Sequence, residues 1–171
     1  PCFVKPNKSG SSFGISKVKT KEELHPAIEN AYKEDNEIII ESFLDGVEVS
    51  VGVINYKGKV TVLPITEIVS ENDFFDYEAK YLGKSKEITP ARITDEVHAK
   101  VSSVAKKAYE VLKMKGFSRS EFIIVNNEPY MLEMNTIPGM TTESILPQQA
   151  KVAGISLSDL FDNAIELALT K

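Results

Sequence analysis

Residues 119–135 read RSEFIIVNNEPYMLEMN: two runs of strand-forming residues joined through an Asn-Asn pair. No other stretch limits the fold as tightly. Side chains alternate between the two faces of a strand, and a hairpin fixes which residues meet. With Asn127 at the centre of the turn, Glu121 falls opposite Glu133 and Arg119 opposite Asn135, with all four on one face. Opposed carboxylates repel, by roughly 0.2–1 kcal/mol at a surface pair and by more when buried. Either this end of the hairpin is solvated, or something positive lies between the two acids. Two carboxylates and an amide oxygen are hard oxygen donors of the kind that hold Mg2+, an ion that keeps part of its water and shares substrate phosphates.

The rest of the chain supplies strands and helices to pack around such a hairpin. CFVKP and EIIIESFL read as strands, and between them TKEELHPAIENAYKE reads as an amphipathic helix with a Thr20–Glu23 capping box. Pro26 falls late for its first turn and favours a later start. After LDG the pattern becomes strict alternation, with Val47, Val49, Val51 and Val53 on one face and Glu48 and Ser50 on the other. NYKGK is a turn, and VTVLPITEIV returns as the next strand. This change of pattern places a subdomain boundary near Asp45–Gly46. SENDFFDYEAKYLGKSKEITPA has little periodicity, and long irregular stretches in compact domains are usually functional or mobile. A long helix follows, carrying Val97, Val101, Val104, Ala105, Ala108, Val111 and Leu112 on one stripe with Gly116 as its stop. After the hairpin comes the loop NTIPGMTTES, and a last helix starts at Ser156 with Asp159 in the box position.

Composition narrows the class of function. At 171 residues the chain can bury a real core as one domain or two small ones. A net charge of −5 excludes a general nucleic-acid binder, whose footprint is a basic surplus. The single cysteine, Cys2, has no internal disulfide partner, which suits a reducing compartment. No apolar run approaches the roughly 20 residues a membrane span needs, and no secretory signal is visible. The chain opens on Pro1 and reads as a piece of a longer protein. His25 and His98 sit among polar neighbours within helices and are expected at the surface. No Ser/His/Asp or Cys/His arrangement presents itself.

KPNKSGSSFG places Gly10 and Gly14 around Ser11 and Ser12, after Lys5 and Lys8. Such a loop can wrap backbone N–H groups around phosphate oxygens. It lacks the Lys that ends a GxxxxGK[ST] loop, and a mobile solvent loop is the alternative. Lys5 closes an apolar strand, where a lone ammonium needs an anion partner. Glu41 ends three isoleucines and could accept from an exocyclic amine, and Glu48 from a ribose hydroxyl.

Taken together, VKPNKSGSSFGISKV, FFDYEAKY, SRSEF and LEMNTIPGMTTESILPQQA resemble the D-alanine–D-alanine ligase family of the ATP-grasp superfamily, in order and spacing, from Phe3 to the last helix. The resemblance implies an α+β ATP-grasp fold, two subdomains whose antiparallel sheets enclose a nucleotide cleft. Residues 1–45 would be part of the central subdomain with the phosphate loop. Residues 46–171 would be the C-terminal subdomain with the metal and second-substrate site. By the same resemblance Lys5 would bind the α- and β-phosphates, and Ser11 and Ser12 would lie over the γ-phosphate. Glu41 would take the adenine amino group, Phe43, Leu44, Phe74 and Leu132 would line the nucleotide, and Glu48 would hold the ribose. Glu121, Glu133 and Asn135 would ligate a pair of Mg2+ ions, with Mn2+ able to substitute. Lys80 would contact the transferred phosphoryl group and Tyr81 would order a lid. Arg119 and the Gly139 amide would stabilise the oxyanion, while Ser144 with Ile145 would receive the carboxylate of the second D-alanine.

The implied activity is ligation of two D-alanines through an acyl phosphate for peptidoglycan precursors, in the cytoplasm, by a full-length protein expected to be a homodimer. Ser9, Glu121 and Phe75 depart from residues more usual at those positions. An N-terminal domain that binds the first D-alanine is not in the sequence, so the 171 residues alone are expected not to make the dipeptide. Two readings compete. One is a ligase using D-lactate or D-serine second, and the other is a nucleotide-binding module without catalysis.

Overall fold

The computed structural model describes residues 1–70 and 85–170. The chain divides into two compact units, Pro1–Asp45 with Ser70–Ser85 and Gly46–Val69 with Lys86–Lys171. In the first unit, β1 (Cys2–Pro6) pairs antiparallel with both β2 (Ser16–Val18) and β3 (Ile38–Ser42), and α1 (Leu24–Ala31) covers one face. Alternation along β1 decides the arrangement. Val4 is fully buried and packs with Val18, Ala27 and Ala31, while Phe3 and Lys5 turn to the other face. The helix starts at Leu24, later than the capping pattern suggests, which leaves Pro26 in the first turn where its missing N–H costs nothing. Thr20 does not cap this helix. Only the glutamate half of the expected box forms, with Glu23 Oε2 accepting from the Lys19 and Thr20 amides at 2.7 and 3.4 Å.

The second unit is a sheet ordered β7-β6-β4-β8-β9, with β5 added along β4. Its strands are β4 (Val47–Tyr56), β5 (Lys59–Val62), β6 (Thr66–Ser70), β7 (Ser85–Ile88), β8 (Phe117–Val125) and β9 (Glu128–Asn135). Its helices are α2 (Asp95–Val111), α3 (Ile145–Val152) and α4 (Leu157–Leu169). Helix α2 covers one face, burying Val97, Val101, Ala105 and Tyr109 against Val49, Val51, Val53, Phe122 and Ile124. Helices α3 and α4 meet the other face at Ile54, Leu63, Leu146, Ala150 and Leu160. Each fully buried side chain of this size contributes on the order of 1.5–3 kcal/mol. Because both faces are covered, β4 is buried continuously from Val49 to Ile54, not only on alternate residues.

Two expectations need correcting, and one helix is new. The return strand after the Lys57–Gly58 turn is broken at Leu63-Pro64 into β5 and β6, since proline cannot donate to a ladder. The apolar stripe of α2 is narrower than its sequence suggests. Val111 and Leu112 are 69% and 59% exposed, and Tyr109 takes the buried place at the helix end by donating to the Gly116 carbonyl. Helix α3 fills residues 145–152, between the expected loop and the expected last helix, where the sequence suggests no element. The capping box of α4 is complete: Ser156 Oγ accepts from the Asp159 amide, and the Asp159 carboxylate accepts from the Ser156 amide and hydroxyl.

Candidate functional site

The β8–β9 hairpin closes through Asn126 and Asn127, both at positive φ (51° and 64°), the backbone of a two-residue turn that matches strand twist. Val125 pairs with Glu128, so the centre of symmetry lies between the two asparagines, half a residue from the position expected. A register shift between Glu121 and Phe122 makes up the difference. Phe122 pairs with Met131 and Glu121 with Glu133, leaving Leu132 as the extra residue. Beyond the bulge, Glu121 stands opposite Glu133 and Arg119 opposite Asn135.

Burial makes the acidic pair costly. Glu121 is only 6% exposed, whereas Glu133 is exposed. Arg119 Nε lies 3.0 Å from Glu121 Oε1, and Ser50 Oγ donates to the same oxygen at 3.3 Å. The Arg119 guanidinium thus pairs with Glu121, whose partner across the ladder is the exposed Glu133. Asn135 Oδ1 accepts from the Ile137 amide at 3.0 Å, which fixes the direction of its side chain. Glu48 projects from the same face of β4 as Ser50, the register partner of Glu121. Among the described residues no group of three or more His, Cys, Asp or Glu side chains forms a metal cage. Two carboxylates and one amide oxygen instead suit a hard divalent ion whose other ligands come from water and phosphate. Glu87 of β7 has no distinguishing signal in the sequence. Partial desolvation raises its carboxyl pKa, and the Arg119 charge works against that rise.

The loop after Asn135 folds onto Ser144. Ser144 Oγ accepts from the Thr141 amide at 3.1 Å and lies 2.9 Å from Thr141 Oγ1. The approach is close: a Cβ on Gly139 would stand 2.8 Å from Ser144 Oγ and would have to displace that hydroxyl. Ser144 occupies the N-cap of α3 without capping it, leaving the helix N-terminus able to receive a carboxylate.

In the first unit, Lys5 Nζ and Glu41 Oε2 are 2.6 Å apart on adjacent strands, so each already satisfies the other. Phe43 packs against Phe3 with ring centroids 6.1 Å apart, and the Lys17 ammonium lies 4.2 Å from the Phe43 ring centre. The half-buried Leu44 follows. The glycine- and serine-rich loop is held in left-handed backbone at Ser11, Ser12 and Gly14, the kind of conformation that gathers N–H groups around an anion. Lys8 is turned elsewhere, its ammonium to Glu37 at 2.8 Å and its amide to Asp35 at 2.7 Å. Phe74, Phe75, Lys80 and Tyr81 lie outside the described residues.

Comparison with known proteins gives the family. The family described as D-ala D-ala ligase C-terminus matches residues 1–166. The D-alanine–D-alanine ligase of Flavobacterium johnsoniae is 82% identical over 99% of the chain, and that of Christiangramia forsetii is 63% identical over all of it. The chain spans about half, 52%, of the length of either relative. Among solved structures, the D-alanine–D-alanine ligase of Bacillus anthracis complexed with ATP superposes with a TM-score of 0.82 at 31% identity. It covers 99% of this chain and 52% of its own. The VanG D-Ala:D-Ser ligase of Enterococcus faecalis gives 0.85 at 38% identity, over 99% of this chain and 50% of its own. With its α+β ATP-grasp fold and a family match over nearly its whole length, the chain belongs to the D-alanine–D-alanine ligase C-terminal family.

Proposed function

We propose that this chain is the catalytic C-terminal half of an ATP-dependent D-alanine–D-alanine ligase. The observation that carries the proposal is the face shared by Arg119, Glu121, Glu133 and Asn135, where opposed acids lie beside one guanidinium. Mg2+, with Mn2+ as a substitute, would be held there by Glu121, Glu133 and Asn135, and would offset the negative charge gathered during phosphoryl transfer.

In the proposed reaction the carboxylate of one D-alanine attacks the γ-phosphorus, and the bond to the β–γ bridging oxygen breaks. ADP and D-alanyl phosphate result. The amine of a second D-alanine then attacks the acyl carbon and expels phosphate with loss of a proton. Lys5 binds the nucleotide phosphates under the Ser11–Ser12 loop. Glu41, Phe43, Leu44, Phe74 and Leu132 hold the base, and Glu48 the ribose. Lys80 meets the transferred group and Tyr81 orders the covering segment. Arg119 and the Gly139 amide donate to the tetrahedral oxygen. Ser144 and the first amides of α3 receive the carboxylate of the incoming amino acid. The product serves peptidoglycan synthesis in the cytoplasm, and the full-length protein is a homodimer.

D-serine as the second substrate is the other reading to test, favoured by the 38% identity to a D-Ala:D-Ser ligase. ADP release by the full-length protein, measured with D-alanine alone and with D-alanine plus D-serine, separates the two. The Glu133→Gln variant should lose turnover by a factor on the order of 100 or more. Full turnover in that variant would favour a nucleotide-binding module instead.

A further inference from the structure

Beyond the apolar packing of Leu146 and Ala150, Gln149 of helix α3 hydrogen-bonds directly to the sheet. Gln149 is wholly buried, and its carboxamide lies along β4 as a neighbouring strand would. Oε1 accepts from the Gly52 amide at 3.0 Å, and Nε2 donates to the Ser50 carbonyl at 2.9 Å. Nε2 also donates to Thr66 Oγ1 at 3.0 Å, and that hydroxyl lies 2.6 Å from Thr89 Oγ1. The amide fills the interval where β4 has left β6, its partner from Glu48 to Ser50, and has not yet met β5, its partner from Val53. The socket is tight, for a Cβ on Gly52 would stand 2.5 Å from Gln149 Oε1.

These bonds lead to both ends of the proposed acyl-transfer site. Ser50 and Gly52, the two residues that Gln149 grips, are the register partners of Glu121 and Arg119. Ser50 also gives its hydroxyl to Glu121. On the helix side, α3 begins directly after Ser144, whose hydroxyl holds the loop from Gly139 through Thr141. Through α3, that loop is thus joined to the strand that pairs with Arg119 and Glu121.

We propose that Gln149 is a positioning residue. It holds α3 and the Gly139–Ser144 loop in register with Arg119 and Glu121, so that the amine of the second amino acid, and not water, reaches the acyl phosphate. The inference rests on the ligase reading. When the amine is misplaced, water adds to the acyl carbon instead, returning D-alanine and phosphate, and ADP is released without dipeptide.

The test uses Gln149→Leu, which nearly keeps the volume and removes all three bonds, and Thr66→Val, which removes one of them together with the Thr66–Thr89 bond. ADP and dipeptide are quantified in the same reactions of the full-length protein over a range of D-alanine concentrations. The parent protein should release one ADP per dipeptide. Gln149→Leu should raise the KM of the second D-alanine roughly tenfold, leave the KM for ATP unmoved and push the ADP-to-dipeptide ratio above one. Thr66→Val should move both quantities the same way by less. Hydrogen exchange provides a readout apart from turnover: the Gly52 amide should exchange faster in Gln149→Leu while the β8–β9 amides keep their protection. An ADP-to-dipeptide ratio that stays at one in Gln149→Leu overturns the proposal. If Gln149→Leu does not fold, Thr66→Val decides by the same ratio. A parent protein without D-alanine-dependent ADP release would instead overturn the ligase reading itself.

Discussion

Glu121 and Glu133 stand directly opposite each other across the β8–β9 ladder, and they do so because Leu132 is left over between Met131 and Glu133. The bulge returns the two acids to one line, and directly opposed carboxylates repel. Glu133→Gln removes one charge and leaves the Arg119–Glu121 pair intact. In EDTA this variant should be more stable than the parent, by roughly 0.2–1 kcal/mol. With Mg-ATP present the order should reverse, because a ligand stabilises in proportion to its preference for the folded site. Thermal unfolding of both proteins under the two conditions checks this. A variant less stable than its parent in EDTA would show that the carboxylates do not oppose one another in solution.

The turn that sets this register makes a second prediction. Asn126 and Asn127 both adopt left-handed backbone, where asparagine is tolerated, glycine is at ease and β-branched residues are strained. Asn127→Gly should stabilise the protein by about 0.5 kcal/mol, and Asn127→Val should destabilise it by about 1–2 kcal/mol. Lys100 accentuates the penalty, since its ammonium bonds the Asn127 carbonyl and the Glu128 carboxylate and so ties the turn to α2. Urea unfolding midpoints read both changes.

How much of this was legible beforehand differs from residue to residue. The pairing of Glu121 with Glu133 follows from period-2 alternation about the asparagines, although the true turn centre lies half a residue from Asn127. The bulge compensates, and nothing in the identity of Leu132 announces a bulge. The start of α1 was hinted at by Pro26, whose ring fits only the first turn. Helix α3 was missed because Pro147 and two adjacent glutamines interrupt its apolar period, although Ser144 stood at its N-cap. Gln149 was missed for a related reason. A glutamine reads as a surface residue, and only tertiary structure shows a carboxamide completing a sheet.

Lys5 and Glu41 give a third prediction, because their ion pair is partly open to solvent, at 20% and 37% side-chain exposure. Such a pair contributes little to folding, so Lys5→Met should shift stability by less than about 1 kcal/mol. In the proposed function the same ammonium meets phosphate, where a charge-assisted bond is worth about 1.5–3 kcal/mol. ATP affinity should therefore fall by roughly ten- to a hundredfold. Titration calorimetry alongside an unfolding curve separates the two effects. A large stability loss with unchanged affinity would make Lys5 a structural residue only.

Glu67 and Arg92 carry the fourth prediction, on pH. Glu67 lies on β6, its side chain 11% exposed, and Arg92 grips it with two guanidinium nitrogens at 2.9 and 2.7 Å and with its own amide at 3.2 Å. These bonds, the side-chain pair above all, lower the Glu67 pKa from its ordinary value despite the opposing effect of burial. A carboxyl depressed in the folded state contributes stability that is complete above its unfolded pKa and is lost as pH falls through the folded one. Arg92→Gln leaves a nearly buried carboxylate without its cation, which near neutral pH should cost roughly 1–3 kcal/mol. Protonation relieves the variant and deprives the parent of its advantage, so the difference between them should shrink as pH falls below about 4.5. Urea unfolding of both proteins from about pH 7 to pH 3 measures that gap. If it stays constant across the range, the stability carried by Arg92 comes from packing of its side chain and not from the charge on Glu67.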